Sequence, residues 1–260
     1  MRGSRRSFLS LTARQAWIFV LIIGLWEALT AAGWVDPFFF SRPSLIAVRF
    51  YKWFTSGTVY PHIYMTTIET LLAFVAGSLL GVLFGLLFAR VPMLARLFDP
   101  YIKIANALPR IALAPIFTLW FGLGILSKVA FGVTLVFFIV FFNTYRGVRE
   151  VDPTIFNNAR MLGANERDLF RHVFLPSAMS WILASLHTSV GMALVGAVVG
   201  EYLGAAKGLG YLIAQAEGVF DTTGVFTGLA VLSCFVLMID LIVTLVEKWL
   251  LKWKPEISGV

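Results

Sequence analysis

VDPTIFNNARMLGANERDLFRHVFLP, residues 151–176, is the longest polar run in an otherwise apolar chain, and uncharged hydrophobic segments flank it on both sides. Asp152-Pro153 reads as a helix start, with a carboxylate at the N-cap and proline at the first helical position, where its missing N–H costs nothing. Gly163 stops that helix. Asn165 then caps a second one, Asp168 favours its positive end, and Leu175-Pro176 is expected to close it before the next membrane span. Ile155, Phe156, Ala159 and Leu162 share one face of the first helix, and Leu169, Phe170, Val173 and Phe174 are apolar on the second. Helices this short are not stable alone in water, so something must pack on them.

The remainder of the chain says where that loop lies. With 59% hydrophobic and 13% charged residues and 24 phenylalanines in 260 residues, no soluble globular domain is described. The reading is all-α: a polytopic membrane protein of six spans forming one domain over residues 1–260. The spans fall near Ala16–Val35, Met65–Ala89, Tyr101–Gly122, Val129–Tyr145, Ser177–Val199 and Val225–Val246. Arg2, Arg5, Arg6 and Arg14 precede the first span. Arg90, Arg96, Arg146, Arg149, Arg160, Arg167 and Arg171 flank spans on the loop side, and Lys248, Lys252 and Lys254 follow the last. Only Arg42, Arg49, Lys52, Lys128 and Lys207 fall opposite. This asymmetry puts the loop and both termini in the cytoplasm. Ser4-Arg5-Arg6-Ser7-Phe8-Leu9 looks like a twin-arginine export signal, but further membrane segments and no small-residue cleavage site follow it.

The spacing in the loop resembles the cytoplasmic EAA loop of permease subunits of bacterial ABC importers. Asn157, Asn158 and Ala159 stand at the three EAA positions, Gly163 at the glycine, and Val173, Leu175 and Pro176 at the closing Ile-x-Leu-Pro positions. The acid and one alanine are replaced by asparagines. LWFGLGILSK at Leu119–Lys128 and GEYLGAAKGLGYLI at Gly200–Ile213 extend the resemblance, towards permeases of the nitrate, sulfonate, taurine and bicarbonate group. It implies a pathway built from two copies of the chain in the bacterial inner membrane. It also implies two ATPase subunits docked on the loops through Phe156, Leu162 and Phe170, and a periplasmic binding protein delivering substrate around Ser41–Pro61 and Gly204–Gly224. ATP and Mg would be bound by the ATPase partner, with no cofactor or metal on this chain.

The residues agree that catalysis is not housed here. There is no Gly-Lys-Ser/Thr phosphate loop, no His-Glu-x-x-His pair and no Gly-x-Ser-x-Gly elbow. Cys234 is expected to be a small buried hydrophobe. Arg110, between Pro109 and Pro115 in the third span, is the most informative intramembrane charge, costing about 3 kcal/mol at a span centre unless paired or wet. It is either a structural arginine bonded to carbonyls freed by the prolines or a cation lining an anion pathway, with Asn106 one turn earlier. Ser185, His187 and Thr188 form a candidate polar patch on the fifth span. Glu69 and Glu201 are expected near water at the outer ends of their spans. Gly77, Gly81 and Gly85 at four-residue intervals permit close helix approach, to this chain or another. The expected cargo is a small anion such as a sulfonate, nitrate or related organic acid, with a pyrimidine or vitamin precursor as the alternative. A transporter driven by an ion gradient, or a channel, is the competing class, but only the third span has the broken character such proteins show.

Overall fold

The computed structural model describes residues 2–250. In chain order its helices are α1 (Arg2–Ala31), α2 (Pro37–Phe40), α3 (Pro43–Thr55), α4 (Tyr60–Arg90), α5 (Pro92–Ala107), a 3-10 turn (Arg110–Leu113), α6 (Ala114–Phe121) and α7 (Ile125–Arg149). After these come α8 (Pro153–Met161), α9 (Glu166–Leu169), a π turn (Phe170–Phe174), α10 (Leu175–Leu203), α11 (Leu209–Gly218) and α12 (Thr222–Leu250). Among the described residues there is no strand. Five helical stretches are long and apolar enough to cross a bilayer, and α5 with the 3-10 turn and α6 makes a sixth that is bent by 87°. Helix is the only way an open chain satisfies its backbone in lipid, which is why each apolar run becomes one. Lys252 and Lys254 lie outside the described residues, as do the side chains of Arg2, Arg5, Arg6 and Trp249.

The chain forms two compact units. One runs to Tyr60 and includes Leu212–Leu232. Within it the Glu27 carboxylate accepts from the Ser44 N–H and hydroxyl at 2.9 and 2.8 Å, fixing the start of α3. Arg49 pairs with Asp221, Ser41 lies 2.9 Å from the Thr223 hydroxyl, and Trp26 packs on Phe226. The other unit holds Pro61–Tyr211 and α12 from Ser233 onward.

In the second unit α4, α7 and α10 pack on small residues. A Cβ at Gly77, Gly81 or Gly85 would stand 2.7 Å from the Cβ of Val136, Val140 or Thr144 respectively, so the glycine stripe of α4 meets α7 of its own chain. Gly132 and Gly196 similarly bring α7 onto α10. Ala73, Val136, Val140 and Ala193 form the buried centre of this contact.

Several sequence expectations are corrected. The third span begins at Pro92, not Tyr101, and runs through Pro100. Arg96, whose carbonyl that proline leaves free, is exposed and can be hydrated. The 87° bend comes at Leu108-Pro109, where the pre-proline residue is forced extended (ψ 136°). Leu175-Pro176 does not end a helix. The Leu175 N–H bonds back to the Phe170 carbonyl, five residues earlier, and this widened π turn absorbs the proline so that α9 continues into α10. Cys234 is exposed on α12 and is not the buried hydrophobe expected of it. Glu69, Glu201 and Lys128 are not at wet ends of spans: they are 2%, 0% and 1% exposed.

Candidate functional site

The loop between α7 and α10 is locally over-determined. Asp152 accepts from the Thr154 N–H at 2.7 Å, and this bond, more than the Thr154 side chain, holds its carboxyl below the ordinary range. Gly163 takes φ +87°, and across it the Ala164 N–H reaches the Ala159 carbonyl at 3.1 Å. Asn165 accepts from the Arg167 and Asp168 N–H groups at 2.9 and 3.0 Å, while the Asp168 carboxylate accepts from the Asn165 N–H at 3.2 Å. That is a reciprocal capping box. Arg160 and Glu166 pair at 2.6 Å across the turn. Both are more than half exposed, so the pair contributes little stability.

The apolar residues of the loop divide. Leu169 and Val173 are buried within the chain's own fold. Phe156 is half-buried against Phe174 with Arg160 over its ring, and Phe170 lies under the Arg90 guanidinium. A cleft of about 560 Å³ between Arg90, Pro92, Arg149, Pro153 and Phe156 borders them. What α8 leaves free is Ile155, Met161 and Leu162, the last two 85% and 89% exposed. Asn157, Asn158 and Pro176 are exposed, and Ala159 and Leu175 are half-buried. Of the residues expected to grip a partner, Leu162 is free to do so as the chain stands. Phe156 packs inside the loop on Phe174, Phe170 meets Arg90 of α4, and Val173 is buried.

The candidate pathway residues fall in three places. At the bend of the third span Arg110 donates to Asn106 and stacks 4.6 Å over Phe138, with its Nε buried and unpartnered. Ser185 bonds back to the Ile182 carbonyl of its own helix at 2.7 Å, and Thr188 faces outward. His187 turns to α12, where Glu247 lies at 2.8 Å and Asp240 at 3.5 Å. This pair borders an apolar cavity of about 510 Å³ lined by Thr67, Phe74, Leu186 and Val243. Glu201 belongs to a third place, the buried cluster with Lys128 and Glu69. Sequence reading placed Lys128 on the outer surface because it opens a hydrophobic run. A usable signal is that Lys128 and Glu201 lie within the two further motifs, one opening its span and the other closing a later one, which in antiparallel helices puts both at the same end.

A bent span, a close-packed helix core and a capped helix-turn-helix loop define a polytopic, all-helical membrane protein. Residues 77–252 match the family of binding-protein-dependent transport system inner membrane components, and the chain belongs to it. It is 31% identical to the aliphatic sulfonates transport permease protein SsuC of Bacillus subtilis, over 92% of this chain and 87% of that one. It is 32% identical to the formylaminopyrimidine transport permease protein ThiX of Halalkalibacterium halodurans, over 92% and 94%. A crystal structure of an amino acid ABC transporter with histidines shares the fold, with a TM-score of 0.60 and 20% identity over 76% of this chain and 96% of that one. The protein is therefore an ABC importer permease, a multi-pass inner-membrane subunit, and the ion-gradient alternative is not favoured. Membership implies work with an ATPase and a binding protein, and a dimeric arrangement.

Proposed function

We propose that two copies of this chain, each a single permease domain, form the pathway of an ATP-driven importer for a small anion. Both termini and the loop 151–176 face the cytoplasm, where each loop is gripped by one of two ATPase subunits that bind ATP and Mg. A periplasmic binding protein delivers the solute to the other face. The observation that carries this reading is the exposed apolar edge Ile155, Met161 and Leu162 on a helix whose other side packs through Phe156 on Phe174, where the loop runs into α10. A stiff helix anchored on one side and apolar on the other transmits displacement when a groove closes on it. Leu162→Asp combined with Met161→Asp would force charge into that groove. The expected outcome is an inserted, folded permease that no longer couples ATP hydrolysis to uptake; normal uptake would refute the docking face.

For the cargo, support comes from the unpartnered Nε of Arg110 at the bend, where a cation in a low-dielectric path attracts anions, and from the sulfonate relative. A pyrimidine or vitamin precursor is the second reading, favoured by the formylaminopyrimidine relative. Thermal-shift screening of the cognate binding protein separates them: stabilisation by an organic anion supports the first, and by a neutral or cationic heterocycle the second.

A further inference from the structure

The two stretches LWFGLGILSK and GEYLGAAKGLGYLI meet in the structure around one buried ammonium. Lys128, in the first turn of α7, donates from Nζ to the carbonyl of Leu123 and to that of Gly204. Both carbonyls sit where glycine ends a helix: Gly122, at φ +75°, closes α6, and Gly204 closes α10. The stem of Lys128 lies on Gly200, where an added Cβ would come 2.8 Å from its Cγ. The acidic side chains of Glu69 and Glu201 are close enough to favour its charge. Glu201 in turn accepts from the Thr66 hydroxyl at 2.6 Å and the Gly210 N–H at 2.8 Å, and the Leu209 N–H donates to Thr66 at 2.9 Å. Gly208 is left-handed at φ +122°, and a Cβ there would overlap the Glu201 carboxyl.

Burying an ammonium beside two acidic side chains is a costly way to hold three helices together, and apolar side chains of similar volume commonly do it as well or better. What an apolar residue cannot do is bond two carbonyls from two different loops at once. We propose that Lys128 is a positioning residue that ties the α6–α7 turn to the glycine segment 204–211, so that the two move as one piece. Displacement of that segment is thereby passed to α6 and to the Arg110 bend. The step that would displace it is docking of the binding protein, and in this respect the proposal rests on the function proposed above.

The test uses the whole transporter, permease with its ATPase in lipid nanodiscs, with and without the cognate binding protein carrying its endogenous ligand. For Lys128→Met the expected result is a basal ATPase rate within about twofold of the parent and a stimulation by the binding protein reduced about tenfold, some 1.4 kcal/mol of lost coupling. Hydrogen exchange at Gly124 and across the turn that follows Leu203 should rise together. Stimulation equal to the parent's overturns the proposal. If Lys128→Met fails to assemble, Lys128→Met with Glu69→Gln relieves the acidic pair left without its cation and decides. Assembly restored without stimulation supports the positioning role. Assembly restored with full stimulation, or no assembly at all, assigns Lys128 to charge balance or stability alone and overturns it. A parent complex that the binding protein does not stimulate refutes the function proposed above first, a failure distinguishable because it appears before any substitution.

Discussion

Gly81→Ala tests whether α4 is held at contact distance from α7 by the absence of side chains. The added Cβ would lie 2.7 Å from Val140 Cβ and 3.0 Å from the Phe137 carbonyl oxygen, whereas carbon atoms rest about 3.5–4.0 Å apart. Restoring that spacing requires the helices to part by about 1 Å, and Val136 and Thr144, one turn to either side against Gly77 and Gly85, lose their fit with it. Overpacking of this kind costs about 1–3 kcal/mol. Replacing glycine by alanine within a helix returns about 0.5–1 kcal/mol. The clash wins, leaving a net loss of about 1–2 kcal/mol, and with some 2–4 °C per kcal/mol in a chain of this size a fall in midpoint of several degrees. Gly191→Ala is the internal control, since nothing lies within 4 Å of its Cβ position and only the propensity gain remains. Both variants would be melted in detergent and followed by tryptophan fluorescence. Equal midpoints for the two would refute the packing argument, and Gly81→Val should fall below Gly81→Ala.

Gly163→Val should lower complex assembly with the ATPase while leaving membrane insertion intact. The space around Gly163 is open, so the cost is that of placing a β-branched residue at φ +87°, about 1–3 kcal/mol, and Gly163→Asn should recover most of it. Arg110→Ala should reduce uptake of the anion about tenfold in proteoliposomes with basal ATPase little changed; a parallel loss of assembly and both activities would make the arginine structural. The lowered Asp152 carboxyl gives α8 a cap that is fully present above the ordinary value of 3.8 and is lost as pH falls through its depressed folded value. Protection of the Thr154 amide from exchange should therefore collapse in acid in the parent. Asp152→Asn should keep that protection without the acid dependence, because asparagine caps as well as aspartate does.

The helix-turn-helix loop and the number of spans were legible because both rest on local rules. Asp152, Gly163 and Asn165 act on their own neighbours, and hydropathy over some twenty residues is enough to name a span. The closing role expected of Leu175-Pro176 failed at the same level, since one π turn lets a helix pass a proline without stopping.

The sequence by itself determined an all-helical membrane protein with a capped helix-turn-helix loop, and through its motifs the family. Only the tertiary structure decided what the polar residues inside the membrane do. Gly77, Gly81 and Gly85 announce a close neighbour at any sequence distance, but that it is Val136, Val140 and Thr144 of the same chain depends on how the helices cross. His187 finds Glu247 sixty residues away, and Lys128 finds Gly204. In a bilayer every helix is apolar around most of its circumference, so periodicity does not mark which side faces protein. The burial of Lys128, Glu69 and Glu201 is set by partners that meet only when the spans are packed.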